Sequence, residues 1–250
     1  MYFTSQKYAF CALFVPVFLA VLIIIEPHMS STVALALHHI KSSLPEHVQL
    51  IAVSKTKPAS LILEAYTAGQ RDFGENKVQE VVDKQAQLPA DIRWHLIGHL
   101  QSNKVKYIAP FVHLIHSVDS LKLLTEINKQ GEKNNRVINC LLQVFIASEE
   151  TKFGLDENEL KEIIQPQMLA ELPFISICGL MGMASFTDNT DKIRSEFRQL
   201  KSVFDYLKST VFSNSTSFNI LSMGMSGDYK LAIQEGSTMI RVGSSIFGTR

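Results

Sequence analysis

Three short segments of this chain carry residue types that do chemistry together. Ser54-Lys55-Thr56-Lys57-Pro58 places two amines directly after an apolar run, and such an amine becomes nucleophilic when burial or a cationic neighbour lowers its pKa. Near the C-terminus, Ser222-Met223-Gly224-Met225-Ser226-Gly227-Asp228 and Arg241-Val242-Gly243-Ser244-Ser245 each stand at the end of another apolar run. Glycine lets backbone N–H groups approach an anion, serine hydroxyls donate to it, and a helix N-terminus adds a favourable dipole. The two loops therefore read as a phosphate site. An amine facing such a site suits a phosphorylated aldehyde, and pyridoxal 5'-phosphate (PLP) is the cofactor that carries both groups at a fixed separation. Taken singly, the same residues have plainer uses: Lys55 as a solvated loop charge, Ser226 as an N-cap, Gly243-Ser244 as a turn. Asp228, in the first turn of the next helix, suits the macrodipole but repels a phosphate unless it points away.

The elements that must position these groups alternate along the chain. Apolar runs at 50–54, 71–75, 93–98, 112–117, 137–147, 174–183, 217–223 and 238–243 predict eight strands. Amphipathic stretches at 31–43, 58–69, 76–87, 101–108, 119–130, 156–166, 189–209 and 226–235 predict the helices between them, with Pro58 able to start one and Gly69 to stop it. The runs are continuously apolar, as in a parallel sheet covered on both faces. Eight βα units over about 220 residues fit an α/β fold of the closed (β/α)8 TIM-barrel type, whose sites gather at the C-terminal ends of the strands and whose phosphate sites often follow strands seven and eight. A doubly wound open sheet is the alternative, but no GxGxxG follows the first strand.

Composition bounds the function. With 24 basic and 24 acidic side chains the formal net charge is zero, without the basic surplus of a nucleic-acid groove. Cys11, Cys140 and Cys178 have neither CxxC nor zinc-ligand spacing, which points to a reducing, cytoplasmic setting. Cys140 and Cys178 are expected in the core. His95 and His99 are separated by the strand-ending Gly98, so no helical metal pair and no metal site are expected. His113 and His116 are predicted on opposite faces of strand four, and His38 and His39 on an exposed helix. Residues 9–25 are uncharged but contain Pro16, and fall just short of the roughly 20 apolar residues that cross a bilayer. Residues 1–28 are read as a dispensable extension, with Met29 as a second beginning; a membrane anchor is the runner-up and a signal peptide the third reading. Residues 29–250 form the barrel.

Seven ordered blocks carry a family resemblance: AVSKTKP (52–58), AGQRDFGENKVQE (68–80), WHLIGHLQSNK (94–104), EETKFGL (149–155), GLMGMASFTDN (179–189), LSMGMSGDYKLAIQEGS (221–237) and RVGSSIFGTR (241–250). Over residues 30–250 the chain resembles the pyridoxal-phosphate homeostasis proteins of the YggS/PROSC-like group, related to the N-terminal barrel of alanine racemases. The resemblance implies that Lys55 joins the cofactor as a Schiff base. Spacing alone leaves Lys57 equally eligible, because residues two apart share a strand face. It also implies that Ser226, Gly243 and Ser244 hold the phosphate, that Arg241 faces the pyridine nitrogen, and that Asn76, His95 and Met183 line the pocket near the ring. A permanent cation at that nitrogen weakens the ring as an electron sink. Phe145 departs from the family pattern, which often has a polar residue there. The implied role is PLP binding in vitamin B6 homeostasis without efficient catalysis, in a monomer serving PLP-dependent apo-enzymes, since the racemases' second domain has no counterpart in these blocks. The alternatives are a small PLP-dependent racemase or lyase, and a barrel enzyme acting on a phosphorylated metabolite without PLP.

Overall fold

The structure, a computed structural model, describes residues 31–147 and 154–249; the expected extension at 1–28 lies outside them. The described residues open with α1 (Thr32–Ser43), whose N-cap Ser31 side chain accepts the Ala34 N–H. There follow β1 (Gln49–Val53), α2 (Ala59–Thr67), β2 (Asp72–Glu75), α3 (Val78–Gln85) and β3 (Arg93–Leu96). A 3-10 turn (Ser102–Lys104) runs into α4 (Val105–Ile108), then β4 (Leu114–Val118), α5 (Leu121–Lys133), β5 (Ile138–Gln143), α6 (Glu157–Ile163) and α7 (Pro166–Ala170). The last elements are β6 (Ile175–Met181), α8 (Thr190–Ser209), β7 (Ile220–Met225), α9 (Tyr229–Gln234), β8 (Met239–Val242) and α10 (Ser244–Phe247). All strand pairs are parallel and follow chain order, and β1 pairs with β8 to close the barrel. The expected (β/α)8 architecture is the one observed.

Two apolar layers hold it. Outward-facing residues such as Ala52, Phe73, Trp94, Leu96, Ile115, Leu142, Leu221 and Val242 belong to one continuous core with the inner faces of the helices. Ile51, Leu114, Leu141, Cys178, Met181 and Met239 fill the barrel itself, with Met183 and Ile220 packed on them. Burying each such aliphatic side chain contributes about 1.5–3 kcal/mol.

Three boundaries differ from expectation for identifiable reasons. The helix predicted over 156–166 stops at Ile163, and Pro166 opens α7, because proline lacks the N–H to continue a helix and restricts the residue before it. Strand five ends at Gln143; Val144 makes only an isolated bridge to Leu155, and half-buried Phe145 donates its N–H to Leu155 O. The helix predicted from 226 begins at Tyr229, because Asp228 Oδ1 accepts the Met225 N–H at 2.5 Å and closes residues 225–228 into a turn. Among the described residues no helix is long and apolar enough to cross a membrane.

Candidate functional site at the barrel mouth

The loop after β1 is clamped on either side of Lys55. Ser54 N–H donates to Gly74 O (3.0 Å) and its hydroxyl to Glu75 Oε1 (2.6 Å), while Lys84 Nζ donates to Ser54 O (2.9 Å) and to the same Glu75 oxygen (2.8 Å). On the far side, Thr56 N–H donates to Glu80 Oε2 (2.7 Å). Burial pushes the Glu75 carboxyl up to about 6 despite its bonds to Lys84 and Ser54, and Glu75 Oε2 is buried without a partner. Thr56 has φ +64, which breaks the strand pleat between the two lysines. Lys55 and Lys57 therefore do not share a strand face, contrary to the reading from spacing. Lys57 Nζ is bound by Gly248 O (3.0 Å) and Thr249 O (3.1 Å). Half-buried Lys55 makes no hydrogen bond or ion pair among the described residues.

Barrel closure sets β8 beside β1, the strand that Lys55 follows, with β7 on the other side of β8. The Ser226 hydroxyl accepts the Gly243 N–H (3.1 Å) and ties the β7 and β8 loops together, so Ser226 is not an N-cap. A Cβ on Gly243 would lie 3.0 Å from Val53 O and 3.2 Å from Val53 Cβ, so a side chain there would crowd β1. Between Ser226–Leu231 and Ser245 lies a cavity of about 350 Å³. The N–H groups of Gly227, Ser244 and Ser245 have no hydrogen-bond partner among the described residues. Asp228 is occupied with its own turn through Met225 N–H. Serine and free N–H groups at this rim are a donor set for a phosphate.

Below the mouth, Arg241 is 4% exposed. Its Nη1 donates to Ser222 Oγ (2.6 Å) and its Nη2 to Gly182 O (3.1 Å), both neutral acceptors. Burial lowers its pKa to about 10, with the charge of Asp228 opposing. The remaining N–H groups of this buried cation have no partner among the described residues, which leaves them for an acceptor such as a ring nitrogen. Met183, packed on the barrel interior, and half-buried Asn76, just beyond β2, stand at the same end.

His95 lies in a buried polar cluster of the barrel interior. It is 1% exposed inside the barrel, with Nδ1 3.0 Å from His116 Nε2 and Nε2 3.1 Å from Asp72 Oδ1. Its ring is taken up by these two buried partners. His113 and His116 are not on opposite faces either: both rings lie 5.2 Å from His95. The cause is that His113 precedes β4 and is outside its pleat. Burial would raise the Asp72 carboxyl, but bidentate bonds from Arg93 (2.6 and 2.6 Å) and the His95 contact hold it well below the usual carboxylate range. Ligand atoms of Asp72, His95 and His113 lie within 4.8 Å of one another. Arg93 occupies both carboxylate oxygens, however, and its fixed charge opposes a metal ion there.

The sequence reading gave no bonding role to Asp72, Glu75, Glu80, Lys84 or His116, and placed Ser222 only among the residues ending strand seven. Four of them interrupt otherwise apolar strand runs, a signal that marks polar groups needing buried partners.

Comparison with known proteins places these features in context. Residues 33–250 match the family described as alanine racemase, N-terminal domain. The chain is 41% identical over 203 residues to the pyridoxal phosphate homeostasis protein of Aquifex aeolicus, covering 81% of this chain and 87% of that protein. It is likewise 41% identical over 210 residues to the protein so named in Escherichia coli K12, covering 82% and 87%. Among solved structures, PipY of Synechococcus elongatus with PLP bound is 41% identical, with a TM-score of 0.79 over 86% of this chain and all of that one. Alanine racemase of Clostridium difficile, at 14% identity, shares the fold with a TM-score of 0.70 over 88% of this chain and 57% of that one.

Proposed function

The chain belongs to the alanine racemase N-terminal-domain family and, within it, to the pyridoxal phosphate homeostasis proteins, and on that premise we propose that it binds PLP and serves vitamin B6 homeostasis. PLP, when bound, supplies an aldehyde able to condense with a lysine amine and a phosphate that needs hydrogen-bond donors. Lys55 is the amine for the aldehyde. Its backbone is held from both sides by the Glu75–Lys84–Glu80 clamp, whereas the Lys57 amine is already bound to the C-terminal carbonyls. Ser226, Gly243 and Ser244 hold the phosphate, joined by the free N–H groups of Gly227 and Ser245. Arg241 faces the ring nitrogen, and Asn76 and Met183 border the ring. An arginine at that nitrogen keeps it unprotonated, which favours holding the cofactor over using it as an electron sink. PLP-dependent apo-enzymes are the recipients.

The single observation that carries this reading is the unengaged Lys55 amine on the stave next to two tied, donor-rich loops. Purified protein is expected to show a visible absorption band that borohydride removes, with the reduced cofactor mapped to Lys55. Lys55→Ala should lose the band and Lys57→Ala keep it; a band that survives Lys55→Ala, or label on another lysine, overturns the assignment.

A further inference from the structure

A single line of hydrogen bonds crosses the barrel interior from mouth to floor. Arg241 Nη1 meets Ser222 Oγ at 2.6 Å, Ser222 Oγ meets His116 Nδ1 at 3.1 Å, His116 Nε2 meets His95 Nδ1 at 3.0 Å, and His95 Nε2 meets Asp72 Oδ1 at 3.1 Å. Asp72 is closed off by Arg93. Ser222, His116 and His95 are almost wholly buried, so their protons have no water to turn to.

The chemistry of the two ends sets the direction of every bond between them. Arg241 only donates, so Ser222 Oγ accepts from it. The hydroxyl proton of Ser222 then has one acceptor among the described residues, His116 Nδ1. His116 must carry its proton on Nε2 and give that bond to His95 Nδ1. His95 in turn carries its proton on Nε2 and donates it to Asp72, which as a carboxylate only accepts. Starting instead from Asp72 gives the same assignment. Burial lowers the pKa of both imidazoles, in keeping with one proton on each ring. The charged and titratable groups around the pair are Asp72 on β2, Arg93 on β3, His113 before β4 and Arg241 on β8.

We propose that Ser222, His116 and His95 are positioning residues for Arg241, a one-way chain of donors that ends on Asp72 and holds the guanidinium below the mouth while leaving its other N–H groups for the cofactor's ring nitrogen. The chain places the balancing carboxylate at the opposite end of the barrel, two imidazoles away. Arg241 therefore hydrogen-bonds only neutral acceptors, and the charge of Asp228 reaches it without a direct bond. Breaking the chain frees the guanidinium to turn and leaves buried donors unpaired. The inference rests on the reading of Arg241 as the partner of the PLP ring nitrogen.

The test has an arm without cofactor and an arm with it. In apo-protein labelled with 15N-histidine, NMR near neutral pH is expected to show His95 and His116 both neutral and both as Nε2–H tautomers. Ser222→Ala should leave both tautomers in place, since Asp72 still fixes them, but shift the His116 Nδ1 resonance as that nitrogen loses its donor, and Ser222→Thr, which keeps the hydroxyl, should restore it. With PLP added, Ser222→Ala should shift the visible band and weaken PLP binding about tenfold, with Ser222→Thr close to wild type. A His116 ring that is charged or Nδ1–H in the apo-protein overturns the proposal. So does a Ser222→Ala variant whose His116 Nδ1 resonance, band and PLP affinity match wild type. Absence of any PLP band in the wild type would instead sink the parent reading, which the apo-protein arm does not depend on.

Discussion

Lys55 and Lys57 have the same side chain two residues apart, and what separates them is where hydrogen bonds are already made. Thr56 in the left-handed region turns the second lysine toward the C-terminal carbonyls, a contact between residues nearly two hundred positions apart that no local pattern announces. Glu75 poses the same problem: in the sequence it is one acid at the end of an apolar run, yet in the fold it is wholly buried beside Lys84 with one oxygen unpaired. Burial raises its carboxyl from the ordinary 4.5 to about 6, so between those values the native state binds more protons than the unfolded chain. Its contribution to stability accordingly falls as pH rises through that window, by roughly 2 kcal/mol, and is level above it. Urea titrations of wild type and Glu75→Gln over this range should differ by that slope; parallel stability curves would contradict the assigned burial effect. Of the residues proposed around the cofactor, the glycines and serines of the last two loops were readable as a donor set from their types, whereas the choice of Lys55 over Lys57 and the role of Arg241 came from the family resemblance. His95 is wholly buried against His116 and Asp72, a depth that a strand's residue count does not tell.

At the scale of elements, the strands were found from their apolar runs, but their ends were set by backbone details. The β5–β6 register slips between Cys140 and Leu141, leaving Cys178 extra on β6, and the next residue, Gly179, has φ +151. A Cβ at Gly179 would stand 1.8 Å from Ile220 O on β7, a collision with backbone that no rotamer relieves. Gly179→Ala is therefore expected to cost more than about 3 kcal/mol, or to prevent folding, in chemical denaturation. A loss under about 1 kcal/mol would mean that β6 and β7 separate easily there. The helices illustrate the converse. Pro166 was visible as a residue and its consequence, a break between α6 and α7, follows from the missing N–H, while the shift of the α9 start to Tyr229 depended on Asp228 capturing Met225 N–H.

For the molecule as a whole, closure of β1 against β8 joins segments from opposite ends of the chain into one rim, and a ligand bridging that rim stabilises the closed barrel over the unfolded chain. At a free PLP concentration of 100 times Kd the gain is about 2.7 kcal/mol. Denaturant midpoints should rise with added PLP in the wild type, and much less in Lys55→Ala at the same concentration; an equal rise in both would place the stabilising contact elsewhere. Alternation of apolar and amphipathic runs was enough to determine the barrel, and strand order then followed, because short connections and right-handed βαβ crossovers leave little choice. The residue types at the mouth were likewise written in the chain itself. Which lysine stays unengaged, how deep each histidine lies, and the path of protons from Arg241 to Asp72 were decided only by tertiary structure. These depend on the pairing of buried polar groups across different strands, and that pairing exists only once the barrel has closed.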